Sequence, residues 1–198
     1  MSMYDDGNDE KPERNEQRPE SITDQLSFKS RFVFIFGDIN HQAARTTCER
    51  LIALAQHSDA PIRVLISSPG GHVESGDAIH DTIRFIGAPV TTIGTGWVAS
   101  AGTHIFLAAE KERRMCLPNT RFMIHQPGGG AGGPATDIAI QAKEILRTRE
   151  RIAKVIAKQT GKSFEKVLND MERDFWMSPK EAIDYGIVSR VIESYKEV

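Results

Sequence analysis

Three residue types that together can form a nucleophilic triad occur in separate short runs of the sequence. Ser100 lies among small apolar residues in the run Gly96–Gly102, His125 lies in Met123–Pro127, and Asp174 follows nearly fifty residues later. A serine hydroxyl is a weak nucleophile until a histidine accepts its proton and a carboxylate orients the imidazole. The three residues therefore predict a serine hydrolase.

Each of these residues is also typical of an ordinary structural role. Ser100 fits the N-terminus of a helix, His125 fits a hydrogen-bonding histidine at a strand end, and Asp174 fits a surface or capping residue. Triad members are brought together in space and not in sequence, so their spacing along the chain leaves both interpretations open.

Other chemical motifs fail on single positions. The nucleophile motif Gly-x-Ser-x-Gly requires a glycine where Val98 stands, and its usual order of serine, acid and histidine is not the order found here. Gly161-Lys162-Ser163 resembles the end of a phosphate-binding loop, but Ile156 occupies the position of its first glycine. Histidines and cysteines show no metal-ligand spacing, so we expect no metal and no bound cofactor.

The length and composition are typical of one globular domain. The 198 residues are 39% hydrophobic and 26% charged, and the net charge of -2 does not favour nucleic acid as a partner. No apolar run is long enough to cross a membrane. Two cysteines, Cys48 and Cys116, are too few for a disulfide framework and are typical of reduced thiols. We therefore expect a cytoplasmic protein that neither spans nor binds a membrane.

The first residues differ in composition from the rest. Residues 1–20 contain seven acidic and three basic side chains and almost no apolar ones, so they cannot bury a core. We predict a disordered acidic segment over residues 1–26 and one folded domain over residues 27–198.

Strand and helix patterns alternate along that domain, which predicts an α/β fold with a largely parallel sheet. The continuous apolar run Phe32–Phe36 is typical of a strand buried on both faces. A long helix over about residues 137–158 carries an apolar stripe that a small body cannot cover, which indicates a subunit contact. The remaining predicted strands are 62–66, 90–94, 122–125 and 187–192, and the remaining helices are 43–56, 78–86, 100–109 and two short ones after Ser163 and Ser178.

Six short runs occur in an order shared with one protein family: Ser67–Gly71, Gly96–Gly102, Leu117–Asn119, Met123–Pro127, Ala135–Ile138 and Glu172–Asp174. Over roughly residues 28–195 the chain resembles the ClpP family, the proteolytic subunits of the Clp ATP-dependent proteases. The resemblance implies a ClpP/crotonase-like α/β fold, a superhelix of repeated ββα units with a projecting strand–helix handle at about residues 126–160. It also implies two stacked heptameric rings around a chamber that receives peptide substrates.

The resemblance implies a serine endopeptidase in which Ser100 is the nucleophile, His125 the general base and Asp174 the orienting acid. Two backbone N–H groups would form the oxyanion hole, and neighbouring residues would bind the peptide. These are Gly71 and Ala101 for the oxyanion hole, and Gly70, Gln126 and Pro127 for substrate binding.

Three departures from the family pattern affect the shape of the primary pocket or the choice of partners. Ala101 stands where the family commonly has methionine, an acidic segment replaces the family's apolar axial N-terminus, and Arg63 and Leu65 replace two tyrosines that help form the docking pocket for the ATPase. We therefore expect weak direct docking of a Clp-family ATPase, which alone would use ATP, and a second ClpP-type subunit as partner.

Two alternatives remain at this point. One is a catalytically quiet ring subunit that pairs with an active ClpP-type subunit, which labelling of Ser100 by a fluorophosphonate would distinguish. The other is a crotonase-type acyl-CoA enzyme, since that fold is shared, and a test for CoA-thioester binding would identify it.

Overall fold

The computed structural model describes residues 21–130 and 132–198. Within this part of the chain the α-helices are α1 (Ile22–Lys29), α2 (His41–His57), α3 (Val73–Phe85), α4 (Ala101–Phe106), α5 (Ala135–Thr160), α6 (Phe164–Asp170) and α7 (Pro179–Tyr185). The strands are β1 (Phe32–Phe36), β2 (Ile62–Ser68), β3 (Val90–Ala99), β4 (Arg114–Cys116), β5 (Arg121–Ile124), β6 (Phe175–Met177) and β7 (Arg190–Val191). Two short 3₁₀ turns cover Lys111–Arg113 and Tyr195–Glu197.

The strands form one mostly parallel sheet in the order β1-β2-β3-β4-β7. The long strand β3 has two successive parallel partners on one side, β4 along Thr92–Gly94 and β5 along Trp97–Ala99. Strand β6 pairs with β5 in the antiparallel direction. The carboxyl ends of β3 and β5 therefore lie side by side, the arrangement that places catalytic residues in many α/β enzymes.

The core lies between the sheet and helices α2, α3 and α4. Alternate residues of β2 are buried, because successive side chains of a strand point to opposite faces. Its buried residues Ile62, Val64 and Ile66 pack in one cluster with Leu51 and Leu54 of α2, and the apolar side chains of α3 and α4 join that cluster. The predicted α/β fold with a largely parallel sheet is confirmed.

Strand β1 differs from its prediction. It pairs with β2 alone among the described residues, and it lies at the edge of the sheet. Val33 and Ile35 are buried, but Phe34 is 52% and Phe36 58% exposed. The prediction of burial on both faces is therefore wrong, because an apolar run does not distinguish a central strand from an edge strand with an aromatic outer face.

Several predicted bounds are also wrong. Strand β3 continues through two glycines to Ala99, five residues beyond the predicted end at Gly94, and Gly96 takes a positive φ of 59° where the register with β2 shifts. Glycine permits such an irregularity without ending the strand. Helix α4 covers only Ala101–Phe106 rather than residues 100–109, and the final strand is only Arg190–Val191.

The predicted long helix is confirmed as α5, which runs from Ala135 to Thr160 and ends at Gly161 with left-handed φ. Its second half packs on the body through the buried residues Ala153 and Ile156. The glycine-rich segment before α5 forms no strand at residues 126–130 or 132–134. The expected strand of the handle is therefore absent from these described residues, since glycines offer few side chains to pack and the single chain provides no partner edge.

The predicted boundary between residues 26 and 27 falls inside α1. Ser21 caps this helix by accepting a hydrogen bond from the Asp24 N–H, so residues 22–26 are helical rather than disordered. The acidic residues 1–20 lie outside the described residues. In the described part of the chain, no helix is both long and apolar enough to cross a membrane.

Candidate active site

Ser100, His125 and Asp174 form one continuous line of hydrogen bonds. The Ser100 hydroxyl lies 2.8 Å from Nε2 of His125, and Nδ1 of His125 lies 2.9 Å from Oδ1 of Asp174. Because an ionised carboxylate only accepts hydrogen bonds, His125 donates from Nδ1 and accepts the serine proton at Nε2. This is the geometry in which imidazole can activate a hydroxyl.

The sheet brings these three residues together through its register. Ala99 of β3 is paired with Met123 of β5, so Ser100 and His125 leave two neighbouring parallel strands at the same edge. Ile124 is paired with Phe175 of the antiparallel β6, which puts the preceding Asp174 opposite His125. Three strand ends therefore converge on one point, although 74 residues separate the first from the last.

The backbone of Ser100 has an unusual conformation, with φ 55° and ψ -121°. Non-glycine residues rarely take positive φ, and such strain is held only where surrounding bonds fix it. The Ser100 N–H donates to the Met123 carbonyl at 2.9 Å, and the Thr103 hydroxyl lies 2.8 Å from the same oxygen. The strand-to-helix turn thus presents Ser100 like a nucleophile elbow, although the usual Gly-x-Ser-x-Gly motif is incomplete.

Gln126 makes two hydrogen bonds to the segment that precedes Asp174. Its backbone N–H donates to the Met171 carbonyl at 2.7 Å, and its side-chain amide donates to the Glu172 carbonyl at 2.9 Å. These bonds attach the segment before Asp174 to the end of β5. Gln126 therefore positions the third member of the triad in the free chain, while substrate binding by its side chain would require one of these bonds to break.

Two adjacent glycines make close backbone contacts, one with Ser100 and the other with Ile39. Gly70 has φ 101°, and a Cβ there would lie 2.6 Å from the Ser100 Cβ. Gly71 has φ 147°, and a Cβ there would overlap the Ile39 carbonyl. Both positions require glycine for conformation and for space. Among the described residues, the Gly71 and Ala101 N–H groups have no hydrogen-bond acceptor, so both are free to bind an oxyanion.

A mostly apolar cavity adjoins the triad. Ser100 and His125 line one part of it, and Pro127 lies in its wall. Other walls come from Ala101 and from the second half of α5. The buried side chain of His104, one helical turn after Ser100, also lines it. Sequence analysis did not select His104.

His104 belongs to a buried polar cluster that connects three helices. Its Nε2 lies 3.0 Å from Oδ1 of Asp77 on α3, and Arg151 of α5 binds both carboxylate oxygens of Asp77 at 2.6 and 2.8 Å. Burial acts to raise the pKa of Asp77, but the hydrogen bonds from His104 and Arg151 outweigh it and hold that pKa well below its usual range. His80 stacks on His104, with ring centroids 4.4 Å apart. Burial lowers the pKa of His80, and the neighbouring His104 contributes to the same direction.

The sequence signal for this cluster is slight: Asp77 and His80 lie three positions apart on α3, and helical periodicity alone does not distinguish them from surface residues. Within the described residues, no group of three or more histidine, cysteine or acidic side chains is arranged to hold a metal ion. Burial raises the pKa of the Cys116 thiol to about 11, despite a hydrogen bond with Thr120 that opposes it. Cys116 is thus an unreactive core residue, and Cys48 is half-buried.

Known proteins share this fold. The chain is 54% identical over 176 residues to ATP-dependent Clp protease proteolytic subunit 3 of Rhizobium etli, covering 89% of this chain and 91% of that protein. It is 53% identical over 195 residues to ATP-dependent Clp protease proteolytic subunit 2 of Gluconobacter oxydans, and the match covers 94% of this chain and 87% of that protein. The solved structure of ClpP1 from Listeria monocytogenes superposes with a TM-score of 0.81 at 50% identity, covering 89% of this chain and 99% of that one.

The fold and these relatives define a serine-type peptidase. A family model described as Clp protease matches residues 14–195, so the chain belongs to the Clp protease family as a proteolytic subunit. The resemblance stated from the sequence motifs is confirmed for the family, the fold and the class of enzyme. The roles of individual site residues remain predictions.

Proposed function

We propose that this chain is a serine endopeptidase in which Ser100 attacks the peptide bond, His125 is the general base and Asp174 orients it. The observation that supports this most directly is the unbroken line of hydrogen bonds from the Ser100 hydroxyl through His125 to Asp174. The strained backbone of Ser100 supports it independently, because the surrounding bonds hold the hydroxyl at the sheet edge.

The reaction proceeds through an acyl-enzyme. Ser100 Oγ bonds to the substrate carbonyl carbon while its proton moves to Nε2 of His125. That proton then passes to the leaving amine as the carbon–nitrogen bond breaks, which leaves an ester on Ser100. Water loses a proton to His125, attacks the ester and releases the carboxylic acid with the serine hydroxyl restored.

The negative oxygen formed in each step needs donors that are already in place. The free N–H groups of Gly71 and Ala101 are such donors, and neither requires a side chain to reorganise. Ala101 supplies its backbone N–H whatever its side chain, so the replacement of the family's methionine leaves this function intact. Gly70 permits the turn to approach Ser100.

The test is Ser100→Ala together with labelling by a fluorophosphonate, which reacts with an activated serine. The intact protein should be labelled once and should hydrolyse a short fluorogenic peptide, whereas Ser100→Ala should lose labelling and about 10³-fold or more in kcat because triad members act as a unit. Ser58→Ala, an exposed serine far from the site in sequence, is the matched control. An unlabelled wild-type protein in assembled form would instead support the quiet ring subunit.

The same proposal extends to assembly and partners. We place the chain in two stacked heptameric rings, as the family resemblance implies. A Clp-family ATPase, which alone uses ATP, docks weakly on this chain directly and works with it through a second ClpP-type subunit. The exposed apolar residues Ile140 and Leu146 in the first half of α5, which are 57% and 58% exposed, support a subunit contact there. The chain itself needs no cofactor for the chemistry described, since side chains and backbone groups supply every step.

A further inference from the structure

The cavity beside Ser100 is small, with a volume of about 30 Å³. Both Ser100 and His125 line it, so a peptide whose carbonyl carbon reaches Ser100 Oγ places the preceding side chain at its entrance. A cavity needs about 10–15 Å³ to hold one water-sized group, and a cavity of about 150 Å³ binds benzene. The space beside Ser100 therefore admits about two water-sized groups and is too small for an aromatic ring.

Three helices supply most of the walls of this cavity. Val73 comes from α3, Ala101 and His104 come from α4, and Ile152 and Ile156 come from α5. Outside the triad, the described residues that line the cavity are apolar except for His104. An apolar cavity receives an aliphatic group without cost, whereas a carboxylate or an ammonium group would be buried there without a partner. The lining therefore favours an uncharged, aliphatic side chain.

The wall formed by α5 is held in place on both sides of Ile152. The preceding Arg151 binds both carboxylate oxygens of Asp77 on α3 at 2.6 and 2.8 Å, and the following Ala153 is fully buried in the core. The same carboxylate lies 3.0 Å from Nε2 of His104 on α4. One carboxylate thus joins the three helices that enclose the cavity. Since a packed interior resists the insertion of extra carbon atoms, the cavity cannot widen freely for a large side chain.

We propose that Ile152 is a specificity-determining residue that restricts the position immediately before the scissile bond to small aliphatic side chains, with alanine preferred. This inference rests on the proposed peptidase function of Ser100. The methyl group of alanine fits the available space, whereas the side chains of leucine and phenylalanine exceed it. Of the two α5 residues in the wall, Ile156 is only 3% exposed and belongs to the core, while Ile152 is partly buried and packs against that core. Shortening Ile152 therefore enlarges the cavity without removing a core side chain.

The magnitude of the selection follows from the discrimination that hydrophobic pockets achieve. One methylene group more or less changes kcat/KM by about 10- to 200-fold in such a pocket. Leucine and phenylalanine both exceed alanine by several carbon atoms. We therefore expect kcat/KM to be lower than that for alanine by about tenfold or more for leucine and by about 10²-fold for phenylalanine.

The experiment compares three fluorogenic peptides that differ only in this residue, which is alanine, leucine or phenylalanine. We measure kcat/KM for each peptide with the wild-type assembly, with Ile152→Ala and with Val155→Ala. Alanine has the highest helix propensity, so both substitutions are compatible with α5. Val155→Ala is the matched control, because Val155 is a β-branched residue of the same helix and is not among the residues that line the cavity.

The wild-type protein and Val155→Ala should prefer alanine over both larger residues, and Ile152→Ala should shift the ratio toward leucine by about tenfold. A wild-type kcat/KM for leucine or phenylalanine that equals or exceeds the value for alanine would overturn the proposal. An unchanged ratio in Ile152→Ala, or the same shift in Val155→Ala, would also overturn it.

Two features of this design keep the outcome unambiguous. Each ratio compares substrates of one preparation, so a difference in assembly or in the active fraction cancels, and the wild-type ratios alone can overturn the proposal if a variant fails to fold. Fluorophosphonate labelling of Ser100 reports on the peptidase proposal separately. Failure of the specificity proposal is therefore distinguishable from failure of the proposed function.

Discussion

The α-carbon of Gly70 faces Ser100 so closely that no side chain fits between them. A Cβ at this position would lie 2.6 Å from the Ser100 Cβ and 2.9 Å from the Ala99 carbonyl oxygen. Gly70→Ala should therefore displace Ser100 from His125. We expect peptidase kcat to fall about 10²-fold, because a shift of about 1 Å in reacting groups has an effect of that size.

The control for this prediction separates the close contact from the backbone conformation. Gly87 also has a positive φ, of 72°, but a Cβ there meets no atom within 4 Å. Gly87→Ala should lower stability by a similar conformational cost, about 1 kcal/mol, with no loss of kcat in the folded protein. Equal kcat values for the two alanine variants would show that Gly70 does not maintain the position of Ser100.

At the scale of the elements, Asp77 connects helices α3, α4 and α5. The carboxylate is 19% exposed and binds His104 and Arg151 at 3.0 Å or less. Its pKa lies below that of an unfolded aspartate, so the folded protein binds the proton less tightly than the unfolded chain. The resulting stabilisation is fully present above about pH 5 and decreases as pH falls through the usual aspartate range near 4 toward the folded pKa.

Asp77→Asn should accordingly lower the free energy of unfolding at pH 7 by about 2 kcal/mol, since a mostly buried pair loses one charge. It should also weaken the decline of stability between pH 5 and pH 3. Denaturant unfolding at several pH values measures both effects. The control is Glu49→Gln, which removes an exposed pair with Arg45 on α2 and should change stability little. Identical acid profiles for wild type and Asp77→Asn would contradict this account.

At the scale of the whole molecule, helix α5 has two different halves. The second half packs on the body through Ala153 and Ile156, whereas Ile140 and Leu146 in the first half are exposed. An apolar side chain on a projecting helix is typical of a surface that another subunit covers. Ile140→Asp should therefore yield assemblies smaller than the wild type, because a carboxylate would be buried in the contact.

Native mass spectrometry and sedimentation measure this change, and peptidase activity should fall with assembly. Ile140→Leu keeps the apolar surface and is the matched control. An Ile140→Asp protein of wild-type mass and activity would show that the first half of α5 lies outside every subunit contact.

The surface where the family's docking tyrosines would lie gives a second prediction at this scale. The Arg63 guanidinium already has partners, since it donates to the backbone oxygens of Ser30 and Val198 at 3.2 and 3.4 Å. It also lies over the Phe32 ring at 5.8 Å. An apolar loop that docks here would have to displace these contacts, so we expect a standard Clp ATPase to stimulate the homomeric protein weakly.

The measurement is ATP-dependent degradation of a tagged, unfolded protein by the homomer, by Arg63→Tyr and by a mixed assembly with another ClpP-type subunit. Arg63→Tyr and the mixed assembly should be stimulated more than the homomer. Strong degradation by the wild-type homomer would contradict the prediction without affecting the assignment of Ser100.

The sequence by itself determined the class of fold, the long helix and the three candidate triad residues. These features depend on local patterns: alternation of strands and helices, a stripe of apolar residues at helical spacing, and short runs such as Met123–Pro127 that resemble one family. The end of α5 at Gly161 was also predictable, because a glycine after an amphipathic run is a local stop signal.

Only the tertiary structure decided which residues meet. Strand order and register, which no local pattern encodes, determine the position of β1 at the sheet edge and the pairing of Ala99 with Met123. They also determine the hydrogen bond from Gln126 to the Glu172 carbonyl. His104 illustrates the same limit, because its burial and its polar partner result from contacts with Asp77 and His80 on another helix. Hydrophobic periodicity fixes which face of an element is buried, but the partners on that face are determined only when the elements pack.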